Sequence, residues 1–281
     1  MIDLHLHSHY SDGTWSPSAL VEHALSIGMK HIALTDHDTT DGIDEALERG
    51  GNKLQVIAAI EINTIYHEQK ADGQVQAHDV HILGYFINKE NEALKSVIRR
   101  QSSARQKQVE RIIERVNQNG TALTLGDVAA CAGKGAIGKA HLSEAIVRCG
   151  AESDIMGAYK NYLTRTGAYY IERESVSPFE AVAAIREAGG IASLAHPGKG
   201  AHVMPLLSLL IDGGLEGVEA YHRVHSLKLL KKYVRFAHDN DLLVTGGSDC
   251  HGPYKEYASM MGAISLPRDL LSLLERRHAS R

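Results

Sequence analysis

The 281-residue sequence contains few cysteines and no long hydrophobic segment. Its three cysteines include no CxxC pair, which argues against a disulfide framework and against a cysteine-rich zinc site. No apolar run approaches the ~18 residues that are needed to span a bilayer. A strand predicted to begin at residue 2 leaves no room for a signal peptide. We therefore expect a cytoplasmic protein without a membrane segment.

An excess of positive charge is also missing. The formal net charge is −4 with histidine neutral, so the chain has no general surface for binding polyanions. A small phosphorylated substrate or a short nucleic acid end remains compatible with this charge, because bound metal ions supply local positive charge. Histidine, in contrast, is abundant at 17 residues. Because histidine is the commonest metal ligand among side chains, the positions of these residues matter.

Predicted strands and helices alternate at short spacing in both outer parts of the chain, which favours a parallel sheet. The first part is expected to contain strands over 2–6, 30–35, 54–60 and 80–86, helices over 18–26 and 42–48, and a polar hairpin or excursion over 62–79. The last part is expected to contain strands over 191–195, 217–221 and 242–246 and helices over 178–188, 203–212, 225–239 and 267–277.

The central part of the sequence has a different pattern. One long amphipathic helix is predicted over 91–119, followed by shorter helices near 125–131, 139–149 and 153–163 and by a strand over 168–171. We therefore expect an α/β unit formed by residues 1–91 and 173–281 that carries the active site. Residues 92–172 are expected to form a helical insertion that covers it.

Residues that can bind metal recur at or near the ends of the predicted strands. His5 and His7 are two positions apart on one strand and so point to the same face. In a parallel α/β barrel the carboxyl ends of the strands converge on one face, where sites are built. Nine side chains are therefore expected to meet in one pocket: His5, His7, Asp12, His37, Glu61, His81, His196, Asp249 and His251.

Each candidate also has a plainer structural interpretation. The histidine-rich N-terminus could lack a role, His37 could help to cap a helix, and Glu61 could form a structural salt bridge. His81 could be a core histidine, with His78 as the ligand in its place. The later candidates could simply end a strand or form a polar turn.

The mixture of imidazole and carboxylate groups suits manganese, iron or zinc. Nine candidates are too many for one ion, so a cluster of two or three divalent ions is expected, in which Glu61 could bridge two of them. Clustered ions ~3.5–4 Å apart are used for phosphoester hydrolysis, because they bind phosphate oxygens and lower the pKa of a water molecule.

Six short motifs carry these residues: His5-Leu-His7, Thr35-Asp-His-Asp38, Glu61, Val80-His-Ile-Leu-Gly84, Ala195-His-Pro197 and Ser248-Asp-Cys-His251. Together they resemble the PHP (polymerase and histidinol phosphatase) family over nearly the whole chain. The resemblance implies an α/β fold, a distorted seven-stranded (β/α) barrel of PHP type with a helical insertion. It also implies a trinuclear centre, with manganese as the first expectation and iron or zinc as alternatives.

The resemblance further implies how the ligands are divided among three ions. The groups are His5, His7, Glu61 and Asp249 for the first ion, Glu61, His81 and His196 for the second, and Asp12, His37 and His251 for the third.

The helical insertion after the His-Ile-Leu-Gly motif is similar to the branch of 3′,5′-nucleoside bisphosphate phosphatases and 5′–3′ exoribonucleases. That similarity implies a metal-dependent phosphatase that converts a 3′,5′-nucleoside bisphosphate to the nucleoside 5′-monophosphate and phosphate. The nucleophile would be a metal-bound hydroxide, and the general acid is unassigned. The alternatives are a 5′–3′ exonuclease acting on short 5′-phosphorylated RNA and a small-metabolite phosphatase like histidinol phosphatase.

Substrate contacts are expected from the insertion and from nearby loops. Lys139 stands where that branch usually has arginine, and a lysine lacks the bidentate fork of a guanidinium group. A solvated basic face or a helix packing contact is an equal alternative for residues of this set. The full set of candidates is Lys139, His141, His222, Arg223 and His225.

Two other functional classes fit parts of the pattern. Amidohydrolase barrels also begin with His-x-His, but the late Asp249 is joined here by His251 and by an early set of Asp12 and His37, which favours a phosphoesterase. A non-catalytic domain stabilised by metal would be expected to have an eroded ligand set. No protein partner is indicated.

Overall fold

The seven strands of the protein form one sheet in the order in which they occur along the chain. The computed structural model describes residues 1–132, 137–253 and 260–281. Neighbouring strands are parallel except for two antiparallel pairs, which β4 forms with β3 and with β5. The strands are β1 (Ile2–Leu6), β2 (His31–Leu34), β3 (Gln55–Gln69), β4 (Val75–Tyr85), β5 (Ile191–Leu194), β6 (Gly217–Tyr221) and β7 (Leu243–Gly246).

The helices begin where the sequence provides capping residues. Ser16 accepts a hydrogen bond from the backbone of Ala19 at 3.1 Å, and Ser177 with Glu180 forms a reciprocal capping box before α7. The helices are α1 (Pro17–Ser26), α2 (Ile43–Gly50), α3 (Glu92–Asn117), α4 (Leu125–Ala132), α5 (Lys139–Arg148), α6 (Ile155–Ala158) with a π-helical turn (Tyr159–Leu163), α7 (Pro178–Glu187), α8 (Val203–Asp212), α9 (Leu227–Asp239) and α10 (Leu270–Ala279).

The expected α/β fold with a seven-stranded, mostly parallel sheet is confirmed, whereas closure into a barrel is not. β1 and β7 are the two edges of the sheet, and an isolated parallel bridge joins Leu6 to Cys250. The buried carboxylate of Asp3 accepts hydrogen bonds from the backbone N–H groups of Ser248 at 2.8 Å and Gly262 at 2.9 Å. The two edge strands are therefore joined by one bridge and the hydrogen bonds of Asp3, and not by a continuous ladder.

Two expectations about strands need correction. Glu61 lies inside β3 instead of following its strand, because β3 continues into an antiparallel hairpin with β4, one of the two alternatives expected for residues 62–79. The predicted strand over 168–171 is wrong. This segment lies against the insertion helices, where Tyr169 stacks on Tyr162 at 4.6 Å and Arg115 donates to the carbonyl of Tyr170 at 2.8 Å. Because a side chain occupies a carbonyl that a strand would have offered to a neighbour, no ladder forms here.

The helices of the central part have an apolar cluster of their own, formed among others by Val109, Ile112, Leu142, Ile146 and Leu163. A separate and larger cluster packs the sheet against α7, α8 and α9. The division of the chain into a barrel and an insertion over 92–172 stays a prediction. Among the described residues, no helix has both the length and the apolar character that crossing a membrane requires.

Close packing of α7 on β4 depends on Gly84. A Cβ atom built at this position would lie 2.8 Å from Cγ1 of Ile185, a buried residue of α7. The absence of a side chain thus allows the helix to approach the strand that carries His81.

We expect the substitution Gly84→Ala to lower the free energy of unfolding by about 1–3 kcal/mol, because the added methyl group overpacks the interface. Urea denaturation measures the change. The control is Gly126→Ala on α4, where the nearest atom to a new Cβ is 3.5 Å away. Equal stability of the two variants would contradict this packing argument.

Candidate metal centre

The side chains expected to bind metal lie together near the carboxyl ends of the parallel strands. His5 projects from β1, His7 follows directly after it, and Glu61 and His81 project from β3 and β4. The other expected ligands lie on the loops after β1, β2, β5 and β7, namely Asp12, His37, His196, Asp249 and His251. The structure brings all of them into one connected cluster.

Glu61 is the centre of this cluster and is completely buried. Its two carboxylate oxygens face different sets of imidazoles. Oε2 lies 3.0 Å from Nε2 of His5, 3.3 Å from Nε2 of His7 and 3.1 Å from Nδ1 of His37. Oε1 lies 2.9 Å from Nδ1 of His81 and 2.9 Å from Nε2 of His196. A carboxylate placed in this way can contact two ions at once.

Two aspartates complete the cluster on its open side. Asp249 places Oδ1 3.1 Å from Nε2 of His7 and 3.5 Å from Nε2 of His5. Asp12 places Oδ1 3.1 Å from Nε2 of His251 and 4.0 Å from Nε2 of His37. The cluster therefore combines donor atoms from the N-terminal and the C-terminal parts of the chain.

Four groups of side chains have one donor atom each within 4.8 Å of the others. One contains the residues expected for the first ion, and another contains those expected for the third ion together with His7. The expected second group is not reproduced as a unit, since His37 takes the place of His196 beside Glu61 and His81. The groups are His5, His7, Glu61 and Asp249; His7, Asp12, His37 and His251; His37, Glu61 and His81; and His5, Glu219 and His222.

The donor set fits divalent metal ions. Both ring nitrogens of His7, Nδ1 of His37 and Nε2 of His222 are buried and have no well-directed hydrogen-bond partner among the residues that the structure describes. Nε2 of His7 lies 3.1 Å from a carboxylate oxygen, yet its direction does not suit a hydrogen bond. Two ligand atoms that are each about 2.1 Å from one ion lie about 3–4 Å apart. The nitrogen–oxygen distances in the cluster are therefore those of atoms that can share a cation.

The carboxylates and imidazoles shift the pKa values of one another. Burial alone would raise the pKa of Glu61, but the imidazoles of His37 and His5 outweigh burial and hold it well below its usual value. Burial lowers the pKa of His7, whereas Asp249 and Glu61 raise it to about 10. For His37 burial prevails and lowers the pKa to about 3. Glu61 is therefore ionised and the imidazole of His37 is neutral at neutral pH.

The loop that carries Asp12 is fixed by a second buried carboxylate. Asp36 accepts hydrogen bonds from the backbone N–H of Ser8 at 2.7 Å, from the Ser8 hydroxyl at 2.6 Å and from the Ser11 hydroxyl at 2.6 Å. Asp249 lies in a loop with a left-handed backbone, at φ +56°. Such conformations are uncommon for residues other than glycine and persist only where surrounding contacts impose them.

A cavity of about 390 Å³ adjoins the cluster. The cluster residues Asp12, His37 and His81 form one wall of the cavity, and insertion residues form the other. Three cationic side chains line it as well, namely Arg105, Lys139 and Arg173, and two tyrosines join them, Tyr159 and Tyr170. The cavity therefore joins the candidate metal ligands to a positively charged wall.

Asp38 holds two of these cations in place. The buried carboxylate forms an ion pair with Arg105 and lies 3.6 Å from Nη1 of Arg173. It also accepts hydrogen bonds from the backbone of Asn63 at 2.9 Å and from the Gln101 side chain at 3.1 Å. Burial raises the pKa of Asp38, but the two arginines prevail and lower it. One negative charge is thus shared by two positive charges at the cavity wall.

The five residues predicted to contact substrate have different surroundings. Lys139 lines the cavity, and His222 is buried with Nε2 3.5 Å from Oδ2 of Asp249. His141 accepts a hydrogen bond from the backbone N–H of Gly138 at the start of α5. Arg223 is exposed and is not among the residues that line the cavity. Both ring nitrogens of His225 form hydrogen bonds, to the N–H of Gly198 at 3.1 Å and to the carbonyl of Ala220 at 2.8 Å.

Sequence reasoning did not single out Glu219, Asp36, Asp38 or Arg173. Glu219 is completely buried on β6, and its carboxylate lies 2.9 Å from Nδ1 of His5. A sequence signal for it exists, because a carboxylate inside the apolar strand Gly217–Tyr221 is costly without a partner. Arg173 had no such signal, since it follows the insertion and meets Asp38 only in the folded chain.

Comparison with known proteins agrees with this geometry. The PHP domain family matches residues 3–175. A 3′,5′-nucleoside bisphosphate phosphatase from Chromobacterium violaceum is 30% identical over 90% of this chain and 87% of its own length. The 5′-3′ exoribonuclease Rnm from Escherichia coli is 28% identical over 89% of this chain and 85% of its own length. A phosphoribosyl 1,2-cyclic phosphate 1,2-diphosphodiesterase from Eggerthella lenta is 31% identical over 90% and 94%.

Two solved structures share the fold over 98% of this chain and 96% of their own chains. A protein from Bifidobacterium adolescentis, described as a metal-dependent phosphoesterase, has a TM-score of 0.83 at 31% identity. A protein from Chromobacterium violaceum, described as an amidohydrolase and solved with bound sulfate and no metal, has a TM-score of 0.82 at 27% identity. The chain therefore belongs to the PHP domain family, and it is a metal-dependent phosphoesterase.

Proposed function

We propose that the enzyme hydrolyses a 3′,5′-nucleoside bisphosphate to the nucleoside 5′-monophosphate and phosphate. One observation carries this proposal: a single cavity joins the candidate metal ligands to Arg105, Lys139 and Arg173. A substrate with two phosphate groups can place one group at each end of such a cavity. The relative named for this activity, at 30% identity, supports the same assignment.

We propose two or three divalent ions, manganese first, held by the nine residues named for the metal centre. When bound, such ions neutralise charge on the phosphate oxygens and lower the pKa of a water molecule. The contribution of the protein is to fix the phosphoester near Glu61 and to hold the other phosphate away from it. The grouping for the second ion, Glu61 with His81 and His196, rests on both histidines lying 2.9 Å from the same Glu61 oxygen.

The cationic wall is proposed to bind the phosphate that is not hydrolysed. Arg105 and Arg173 share the single charge of Asp38, so the three groups together keep one positive charge. Lys139 has no carboxylate within 4.0 Å among the described residues, so its charge is available for an anion. Lysine binds phosphate as a point charge, without the geometric selectivity of a guanidinium fork. His222, beside Asp249, is proposed to contact the phosphate that is cleaved.

A second candidate is removal of nucleotides from the 5′ end of short RNA. It is favoured by relatives named as 5′-3′ exoribonucleases, which match 89% of this chain. The same cationic wall would then bind a 5′-terminal phosphate. We also propose that the seven-stranded sheet is a distorted barrel. A cytoplasmic location is proposed as well, because the three free cysteines fit a reducing compartment.

A panel of substrates distinguishes these activities. Phosphate release with Mn²⁺ is measured on 3′,5′-bisphosphates, nucleoside monophosphates, histidinol phosphate and a phosphoribosyl 1,2-cyclic phosphate, and nucleotide release on 5′-phosphorylated oligoribonucleotides. The proposal requires the highest kcat/KM for the bisphosphate. Equal values for mono- and bisphosphates would exclude a second phosphate subsite, and release of ammonia from amide substrates in place of phosphate would indicate an amidohydrolase.

We expect Asp249→Asn to lower kcat by at least about 100-fold and to reduce the Mn²⁺ content, because the weaker amide ligand replaces a carboxylate close to His5 and His7. Metal content is measured by elemental analysis and activity by phosphate release. Asp212→Asn, at an exposed position on α8, is the control. Full activity of Asp249→Asn would show that the metal centre is wrongly assigned.

We expect Lys139→Ala to lower kcat/KM for a 3′,5′-bisphosphate by about 10-fold, which corresponds to ~1.4 kcal/mol, through a higher KM. The value for a nucleoside 3′-monophosphate should stay unchanged, because that substrate lacks the second phosphate. Lys107→Ala, on the exposed face of α3, serves as the matched control. An equal loss on both substrates would argue against a role of Lys139 in binding the second phosphate.

Metal binding should also depend on pH. The raised pKa of His7, about 10, means that the metal-free protein holds a proton there, and this proton stabilises the fold fully below pH ~6.5 and less as pH rises through about 10. An ion must displace that proton, so Mn²⁺ affinity is expected to increase between pH 6.5 and 8.5. Calorimetric titration in buffers of different ionisation enthalpy should detect proton release. Affinity that is independent of pH would contradict this expectation.

A further inference from the structure

Glu219 lies next to the metal centre and contacts two of its histidines. The side chain projects from β6 and is completely buried. Oε1 lies 2.9 Å from Nδ1 of His5, and Oε2 accepts a hydrogen bond of 2.8 Å from the backbone N–H of His196. Both carboxylate oxygens are thus engaged by residues that belong to different expected metal groups.

The contact with His5 determines which ring nitrogen can bind metal. A carboxylate only accepts hydrogen bonds, so Nδ1 of His5 carries a proton that points to Glu219. Nε2, on the other side of the ring, lies 3.0 Å from Glu61 and 3.5 Å from Asp249. Because Glu219 keeps the proton on Nδ1, Nε2 is the nitrogen that would face a metal ion shared with these carboxylates.

The contact with His196 acts on the backbone. His196 has a φ of +21°, a conformation that residues other than glycine seldom adopt. The hydrogen bond from its N–H to Glu219 holds this turn after β5. In that position Nε2 of His196 reaches Oε1 of Glu61 at 2.9 Å. Without this acceptor the N–H of His196 would lose its hydrogen bond, which would destabilise the turn.

We propose that Glu219 is a positioning residue that fixes His5 and His196 together, and so couples the occupancy of two metal positions. A carboxylate that accepts from the second nitrogen of a ligating imidazole raises the basicity of that ligand and fixes its orientation. Here the same carboxylate also fixes the backbone of a histidine assigned to another ion. The proposal rests on the metal centre described under the proposed function, and it concerns metal binding instead of substrate choice.

Glu219→Gln tests the proposal, because an amide has nearly the shape of a carboxylate but offers only one acceptor oxygen. One of the two N–H groups then loses its acceptor. We expect Mn²⁺ affinity to fall by about 10–100-fold. The number of bound ions per protein, measured by calorimetry and elemental analysis, should fall by one because the more weakly bound ion is lost. The increase in Tm on adding Mn²⁺ should shrink accordingly. Unchanged stoichiometry and an affinity within about twofold of wild type would overturn the proposal.

The matched control is Thr245→Val. Thr245 is paired with Glu219 in the register of β6 and β7, and its buried hydroxyl lies 2.9 Å from that of Ser193. This variant also loses a buried hydrogen bond in the same layer, but no contact with a candidate ligand. It should lower Tm while leaving Mn²⁺ affinity unchanged. A similar loss of affinity in both variants would mean that the effect of Glu219 is merely structural.

A measurement on the wild-type protein tests the same idea without any variant. The ¹⁵N chemical shifts of His5, recorded with and without Zn²⁺, should show Nδ1 protonated and Nε2 perturbed by the metal. The opposite tautomer would overturn the proposal. A wild-type protein that binds Mn²⁺ but hydrolyses no nucleotide would remove only the proposed substrate, whereas a protein that binds no divalent ion would remove the metal centre itself.

Discussion

The structure depends on one buried carboxylate surrounded by imidazoles. Glu61 is fully removed from water and has five histidine nitrogens within 3.3 Å of its two oxygens. A lone ionised carboxylate in such a place would be very costly, and the imidazoles around Glu61 relieve that cost, since they hold its pKa well below the usual value. The arrangement makes physical sense when cations sit between the nitrogens and the oxygens. Every strand end around the site contributes to holding this concentration of polar atoms in place.

The helical part of the chain is joined to this centre through a second buried carboxylate. Asp38 follows His37 directly and binds Arg105 of α3 as well as Arg173 beyond the insertion. The cationic wall of the cavity is therefore attached to the same loop that carries a candidate metal ligand. Asp38 therefore connects the cationic side chains of the cavity to the candidate metal centre.

Much of the site could be predicted from sequence because its chemistry is local to the ends of strands. The spacing of His5 and His7 indicated a shared strand face, and the position of Asp249 and His251 after an apolar strand indicated a site at the strand end. What could not be predicted depends on partners distant along the chain. The position of Glu219 inside an apolar strand indicates that it has a partner, but only the folded chain shows that the partners are His5 and His196.

The parts of the fold that could not be predicted from the sequence also depend on contacts with distant residues. Residues 168–171 have the composition of a strand, but Tyr169 finds a ring to stack on in the insertion, and tertiary packing overrides local propensity. The hairpin formed by β3 and β4 extends further than its apolar part, since antiparallel pairing can continue along polar, exposed residues. Lys139, at the start of α5, lines the cavity, whereas Arg223, in the loop after β6, is exposed and is not among the residues that line it.

The tie between the edges of the sheet has a consequence for how the protein is made. The hydrogen bond from Ser248 to Asp3 spans 245 positions of sequence, and the centre needs side chains from both sides of that gap. Such a contact cannot form until nearly the whole chain has been synthesised, and pairings this distant along the sequence are slow to form. A chain interrupted before β7 would lack Asp249 and His251, so the complete set of candidate metal ligands assembles only when synthesis is almost finished.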